Sequence, residues 1–159
     1  MIKVLFVCWG NICRSPMAEF VFKDMINKRG IADKFHVESR ATHTDEIWNG
    51  VGSEVYPPVQ SLLKEHGISC KGKRAQLLEK ADYERYDYII GMDDLNDKWM
   101  HRILGKGNDD PKISLLLDYT DHPRAVADPW YTRDFEKTYQ DVIDGCNGFL
   151  DYLKGQNLI

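Results

Sequence analysis

The chain has 159 residues, of which 43% are hydrophobic and 29% are charged, which is the composition of an ordinary folded protein. Its formal net charge of −4 argues against nucleic acid as the main partner. No stretch approaches the ~20 apolar residues of a membrane span, and the N-terminus lacks the pattern of a signal peptide, so we expect one cytoplasmic domain over residues 1–159, with no membrane partner.

The first element is a strand that ends at a cysteine. Residues 3–9 are almost continuously apolar, which is typical of a strand buried on both faces of a parallel sheet. Ser15 is predicted to cap the helix that follows, with Pro16 in its first turn. Apolar residues then repeat at helical spacing until Gly30 ends the pattern. Cys8 is therefore expected between the end of a strand and the start of a helix.

The loop after Cys8 has the features of an anion site. Only five residues separate Cys8 from Arg14, and a helix follows directly, so several backbone N–H groups can turn inward around a tetrahedral oxyanion. Gly10 and Asn11 both tolerate the positive φ that such a loop requires. Arg14 can hold two oxygens of the anion with its planar fork, and the same positive field favours a thiolate at Cys8. A hydroxyl at Ser15 could donate to that sulfur.

The rest of the chain alternates between strands and helices. Strands are predicted at 35–41, 86–92 and 112–118. Helices are predicted from Pro57 to Gly67, as a short piece at 81–87, after an Asp93-Asp94 cap, and from Phe135 to Leu153; a polar loop covers 42–55. This alternation predicts an α/β fold with a parallel sheet, in which ligands bind beyond the carboxyl ends of the strands. Cys8 lies at such an end.

The positions of the cysteines and histidines indicate a reactive cysteine rather than a metal site or a disulfide. The four cysteines and five histidines do not form the closely paired groups that a zinc site needs, so we expect free thiols, no metal and no cofactor. The pattern indicates in-line attack of the Cys8 thiolate on phosphorus, protonation of the leaving oxygen by a carboxylic acid, and hydrolysis of the thiophosphate by water. From the residues alone, Asp93, Asp118 and Asp128 are equally good candidates for that acid.

Two motifs resemble those of a known family. The run V-C-W-G-N-I-C-R-S-P resembles the signature of the low-molecular-weight protein tyrosine phosphatases, and Asp128-Pro129-Trp130-Tyr131 resembles their Asp-Pro-aromatic motif. The resemblance extends over nearly the whole chain. It implies a doubly wound four-stranded parallel sheet flanked by helices, with a phosphate-binding loop after the first strand. It also implies metal-independent cleavage of phosphotyrosine through a phosphocysteine.

The resemblance also implies roles for individual residues. Cys8 becomes the nucleophile, Arg14 the phosphoryl ligand and Asp128 the general acid. The phosphate loop would comprise Trp9, Gly10, Asn11, Ile12, Cys13 and Ser15, supported by Ser39; the substrate pocket would be walled by Trp48, Trp130 and Tyr131. Trp48 could equally pack on the surface. Cys13 could form a reversible disulfide with the nucleophile, or it could simply be a small apolar loop residue.

Some positions depart from the family pattern. Arg40 stands where many members have a small residue, Gly72 where some have a histidine that supports the loop, and the loop 43–55 looks longer than usual. The expected partners are a tyrosine-phosphorylated protein or a small aryl phosphate, with inorganic phosphate and other oxyanions as inhibitors, and we expect a monomer.

Three rival functions are compatible with such a loop, and a sequence feature disfavours each of them. Arsenate reductases pass oxidation along a closely spaced downstream pair of cysteines, whereas Cys70 and Cys146 lie far apart here. Protein-arginine phosphatases carry a threonine where Ile12 stands. A phosphoprotein-binding module without chemistry would have no reason to keep Cys8, Arg14 and Asp128 together.

Overall fold

The computed structural model describes residues 1–159, with six strands and six helices. The strands are β1 (Ile2–Cys8), β2 (Phe35–Ala41), β3 (Ile47–Trp48), β4 (Val51–Gly52), β5 (Tyr88–Gly91) and β6 (Ile113–Leu115). The helices are α1 (Arg14–Lys28), α2 (Pro57–Glu65), α3 (Asp82–Arg85), α4 (Asp94–Leu104), α5 (Pro129–Thr132) and α6 (Phe135–Gly155). None of these helices combines the length and the apolar character needed to span a bilayer.

A four-stranded parallel sheet forms the centre of the molecule, as predicted, and its strand order is β2-β1-β5-β6. β1 pairs with β2 along its whole length, from Ile2↔Phe35 to Cys8↔Ala41, and with β5 on its other side. The chain therefore leaves β1 first toward one edge of the sheet and later toward the other. Cys8 lies at this reversal of strand order, where open α/β sheets bind their ligands.

Helices cover both faces of the sheet, which confirms the doubly wound architecture. Successive side chains of β1 point to opposite faces, so Val4 and Phe6 pack in one core cluster and Leu5 and Val7 in a second. The first cluster includes side chains of α1, α2 and α6, and the second includes side chains of α4. Burial on both faces explains the unbroken apolar run of this strand.

Helix α1 begins two residues earlier than predicted, at Arg14 rather than Pro16, and Ser15 is not its N-cap. The N-cap residue is Cys13, which makes no side-chain capping bond. The hydroxyl of Ser15 instead lies 3.0 Å from the Cys8 sulfur. By contrast, Asp93 caps α4 as predicted, since its Oδ1 accepts a 2.8 Å bond from the Asn96 N–H.

Two further elements differ from the sequence prediction. The polar loop 42–55 contains the hairpin β3–β4, whose two-residue turn Asn49-Gly50 has positive φ at both positions. The fourth strand of the sheet ends at Leu115, and residues 116–119 form a 3₁₀ turn. That turn lies so close to α6 that a Cβ at Gly145 would stand 2.4 Å from the Leu116 side chain. The predicted last part of the strand is therefore a turn that packs against Gly145 of α6.

Candidate active site

The segment from Cys8 to Arg14 forms a tight loop in which several backbone amide groups lack partners in the protein. Cys8 is 4% exposed, and residues 9–13 connect β1 to α1. The backbone N–H groups of Gly10, Ile12 and Cys13 donate to no other group of the protein, although Ile12 and Cys13 are buried. Buried amides are normally paired, so such a set is suited to an anion. The Asn11 N–H points at the Cys8 sulfur, 3.3 Å away.

Asn11 holds the loop in shape. It adopts φ of 58°, is 1% exposed, and uses its whole side-chain amide. Its Nδ2 donates to Ser15 Oγ (2.8 Å) and to Ser39 Oγ (2.9 Å), and its Oδ1 accepts from the Gln76 N–H at 3.0 Å. Ser15 Oγ accepts from Asn11, and its own proton has two acceptors within reach, the Cys8 sulfur at 3.0 Å and the Arg40 carbonyl at 3.5 Å. A thiolate has no proton to give, so beside a Cys8 thiolate the hydroxyl is the donor. Ser39 thus lies where the resemblance implies, beneath the loop.

Behind Ser39 lies a buried ion pair that the sequence did not reveal. Ser39 Oγ donates to Glu19 Oε1 at 2.6 Å, and Glu19 is 3% exposed. Lys73 Nζ lies 3.3 Å from the same oxygen and donates to the Ser39 carbonyl at 3.0 Å. Burial lowers the pKa of Lys73, although Glu19 opposes the effect. Glu19 follows Ser15 by four residues, so the two side chains lie on the same face of α1. This spacing is the sequence signal that could have placed Glu19 beneath the loop.

Two of the three departures from the family pattern, at Gly72 and Arg40, affect how Ser39 is supported. Gly72 has no side chain with which to support the loop, but the adjacent Lys73 reaches it through Ser39. Arg40 also donates to the Ser39 carbonyl, at 2.8 Å, and to Glu38 Oε2 at 2.9 Å. The loop is therefore supported here by two cations on one carbonyl.

Arg14 joins the phosphate loop to two carboxylates. Its guanidinium is almost fully buried and donates to Asp93 Oδ2 at 2.8 Å and to the Val126 carbonyl at 3.0 Å. Asp128 Oδ2 lies 3.5 Å from Nη2. Burial by itself would lower the pKa of Arg14, but the charges of Cys8, Asp93 and Asp128 raise it above its ordinary value. The guanidinium is therefore a fixed positive charge at the floor of the cavity.

Asp128 is brought to Arg14 by the loop that precedes α5. The Val126 N–H donates to the Met92 carbonyl at 2.9 Å, and Thr138 Oγ1 donates to the Ala127 carbonyl at 2.8 Å. The other oxygen of Asp128, Oδ1, accepts from the Trp130 N–H at 3.0 Å. Asp118 is not at the cavity; its carboxylate accepts from the Leu115 N–H at the sheet edge. Of the three candidate acids, Asp93 and Asp128 face Arg14, and Asp93 is the more tightly bound.

These groups meet in a cavity of about 450 Å³. The lining includes Cys8, Trp9, Gly10, Ile12, Cys13, Arg14, Asp45, Glu46, Asp93, Asp128, Trp130 and Tyr131. Trp9 is fixed by a 2.9 Å bond from its Nε1 to Asp45 Oδ2 and by stacking on His43 at 3.4 Å between ring centroids. Trp130 and Tyr131 lie at the mouth and are largely exposed. The cavity thus has an anion cradle at its floor and aromatic walls.

Trp48 does not belong to this wall, and its predicted place in the pocket needs correction. It is 73% exposed and lies on β3, where Ile47 points inward and the alternation of the strand turns Trp48 to solvent. Of the predicted pocket aromatics, the structure therefore brings Trp130 and Tyr131 to the cavity, but not Trp48.

Cys13 differs chemically from Cys8. Burial, together with the nearby charges of Cys8 and Asp128, raises the pKa of the Cys13 thiol to about 12. Cys13 is therefore a neutral thiol at physiological pH, and all four cysteines of the chain are free. Only the thiolate form of a cysteine is a good nucleophile, so Cys13 is a poor candidate for covalent catalysis.

Comparison with known proteins agrees with this geometry. Residues 3–158 match the family described as low molecular weight phosphotyrosine protein phosphatase. The low molecular weight protein-tyrosine-phosphatase YfkJ of Bacillus subtilis is 38% identical over 152 residues, which cover 94% of each chain. The crystal structure of YfkJ superposes with a TM-score of 0.90 and covers 98% of this chain and 96% of that one.

Two further solved structures are similar. SP-PTP, a low molecular weight protein tyrosine phosphatase from Streptococcus pyogenes, has 42% identity and a TM-score of 0.83, with 96% of this chain and 93% of that chain covered. DARP, a Drosophila arginine phosphatase, has 30% identity and a TM-score of 0.84, with 96% and 97% covered.

Proposed function

The chain belongs to the low molecular weight phosphotyrosine protein phosphatase family and is a protein tyrosine phosphatase, and we propose that it hydrolyses phosphotyrosine and small aryl phosphates through a phosphocysteine on Cys8, without a metal ion. One observation carries this proposal: the residues whose loop amides have no partner in the protein line the same cavity as the sulfur of Cys8 and the guanidinium of Arg14. Such an arrangement stabilises the charge of a transferring phosphoryl group electrostatically.

In the first step, the thiolate of Cys8 attacks phosphorus and the bond from phosphorus to the tyrosyl oxygen breaks. Asp128, in its acid form, gives a proton to that oxygen, so the product leaves as a neutral phenol. The amides of the loop and Arg14 hold the three equatorial oxygens. The Ser15 hydroxyl lies 3.0 Å from the sulfur and is the donor when Cys8 is a thiolate, so a proton donor stands beside the atom that loses and regains charge.

In the second step, water attacks the phosphorus of the phosphocysteine. Asp128, now a carboxylate, takes the proton of that water, and the sulfur–phosphorus bond breaks to release inorganic phosphate and the thiolate. Ser15 eases the departure of the sulfur by its hydrogen bond. Because the released phosphate fits the same cradle, we expect phosphate and other tetrahedral oxyanions to compete with substrate, and we expect a monomer to be sufficient for activity.

Phosphotyrosine is favoured over phosphoarginine by two features of the cavity. Aromatic side chains at the walls suit a phenyl ring. Ile12 places an apolar side chain in the loop and offers no hydroxyl to a phosphoramidate nitrogen. Phosphoarginine is nonetheless the second candidate, since DARP is named an arginine phosphatase.

One panel of assays tests the proposal. An aryl phosphate, a phosphotyrosyl peptide and a phosphoarginyl peptide are each offered to one preparation in EDTA. We expect the first two to be hydrolysed and the third to be much slower. Activity that requires added metal would contradict the mechanism. Faster hydrolysis of the phosphoarginyl peptide would make phosphoarginine, not phosphotyrosine, the preferred substrate.

A further inference from the structure

The mouth of the cavity carries negative charge that nothing in the protein neutralises. Asp93 and Asp128 are paired with Arg14, the only cation of the lining. Two further carboxylates, Asp45 and Glu46, line the same cavity, and neither forms a salt bridge. Asp45 is exposed and Glu46 is half-buried. We refer to Asp45 and Glu46 as the acidic rim.

Hydrogen bonds fix the acidic rim in position. Asp45 Oδ2 accepts from Trp9 Nε1 at 2.9 Å, and Glu46 Oε2 accepts from Ser53 Oγ at 3.0 Å. A Cβ placed on Gly10 would meet the Cγ of Glu46 at 3.4 Å, so this side chain lies against the phosphate loop itself. The negative charges are therefore held at the entrance rather than spread over a mobile surface.

The one titratable base beside the rim does not compensate for it. Burial lowers the pKa of His43, although Asp45 opposes the effect, and the ring is stacked flat on Trp9. His43 is thus neutral at physiological pH. Arg14 is the only cation that lines the cavity, so the two rim carboxylates lie without a salt-bridge partner next to a cradle that must admit a dianion.

Exposed apolar side chains line the same cavity as the acidic rim. Leu95 is 50% exposed, Trp130 51% and Tyr131 82%, and all three line the cavity. A phosphotyrosyl side chain that reaches the cradle would bring the neighbouring residues of its own chain against this mouth. Those neighbours would then meet both apolar side chains and the two carboxylates of the acidic rim.

We propose that Asp45 and Glu46 determine substrate specificity, and that the enzyme prefers phosphotyrosine flanked by lysine or arginine over phosphotyrosine flanked by acidic residues. The inference rests on the proposed function. Arg14 and the loop amides neutralise the phosphoryl group, so the rim acts on the flanking residues. Charge complementarity attracts cationic neighbours, and like charges disfavour acidic ones.

The test uses three phosphotyrosyl peptides that differ only in the residues on either side of phosphotyrosine, which are arginine, glutamine or glutamate. At low ionic strength, we expect kcat/KM to be roughly tenfold higher for the arginine peptide than for the glutamate peptide, since each rim carboxylate experiences a change of two charge units per position. Added salt should reduce this ratio. A ratio near one at low salt, or one insensitive to salt, would overturn the inference.

Matched variants assign the effect to the rim. In Asp45→Asn with Glu46→Gln, the amide oxygens can still accept from Trp9 and Ser53, so charge is removed with little change of shape. We expect the ratio to fall to about twofold. Asp151→Asn removes an exposed carboxylate that does not line this cavity, and we expect it to leave the ratio unchanged. A double variant that keeps the full ratio would overturn the assignment, and each single variant serves if the double one does not fold.

A small aryl phosphate without flanking residues separates this inference from the proposed function. If that compound is hydrolysed and all three peptides react at equal rates, the role of the rim is refuted and the proposed function stands. Failure to hydrolyse the aryl phosphate and every peptide would refute the proposed function itself.

Discussion

Replacement of Lys73 by methionine tests whether the buried ion pair supports the phosphate loop. The side chains of Glu19 and Lys73 are only 4% and 9% exposed, and their charged atoms lie 3.3 Å apart. Removal of one partner from a buried pair costs about 3–5 kcal/mol when the other charge is left unpaired. Here Glu19 keeps the Ser39 hydroxyl and a 2.6 Å contact with Lys23, which is 41% exposed. We therefore expect a smaller loss of unfolding free energy, about 1–3 kcal/mol.

Activity should change together with stability, because Lys73 also donates to the Ser39 carbonyl beneath the loop. We expect kcat for an aryl phosphate to fall by about three- to tenfold, as displaced catalytic groups lose positioning. Urea unfolding, with an unchanged m-value, measures the first effect, and steady-state kinetics measures the second. Lys71→Met is the matched control, since Lys71 is an exposed lysine two residues away.

The result that would refute this reasoning is a Lys73→Met protein as stable and as active as the Lys71→Met protein. It would mean that the pair contributes nothing net, because the cost of removing both charges from water cancels their attraction. A loss of stability without a change in kcat would confine the role of Lys73 to folding.

Three further predictions concern the acid, the loop that carries it, and pH. Asp128→Asn should slow aryl phosphates with poor leaving groups far more than those with good ones; equal slowing would assign the acid elsewhere. Tyr56→Phe removes the acceptor of a 3.2 Å bond from Arg133, which directly follows the short helix α5 that Asp128 caps. This change should produce a weaker form of the same leaving-group dependence, with little change in melting temperature. Burial alone would raise the pKa of Glu38, but the hydrogen bond from Arg40 holds it below its ordinary value. Glu38 thus stabilises the fold above its unfolded pKa, and the effect is lost as pH falls through the folded pKa. Glu38→Gln should therefore destabilise the protein near pH ~7 in urea titrations, and the difference between the two proteins should shrink as the pH is lowered through the folded pKa.

Local sequence signals were sufficient for the sheet and for the phosphate loop. β1 is buried on both faces, so its apolar run is unbroken, and the loop is specified by residues adjacent to it in the chain. Asn49-Gly50 was an equally local signal, but the short hairpin around it went unrecognised, and Trp48 was consequently misplaced.

Long-range contacts account for what sequence reasoning missed. The choice among candidate acids depends on how the segment before α5 is tied to β5 and α6, through Val126 and Thr138. Hydrophobic periodicity carries no information on such long-range hydrogen bonds. The support of Ser39 by Lys73 is of the same kind, because nothing near Gly72 indicates that the next side chain turns inward.

The central claim is that Cys8, held within the loop amides and beside Arg14, becomes phosphorylated during turnover. Intact-mass and peptide mass spectrometry of samples quenched during hydrolysis of an aryl phosphate test it most directly. We predict one added phosphoryl group, located on Cys8 and absent from Cys8→Ser, which should also have lost turnover. A phosphoryl group on Cys13, or continued turnover by Cys8→Ser, would contradict the claim.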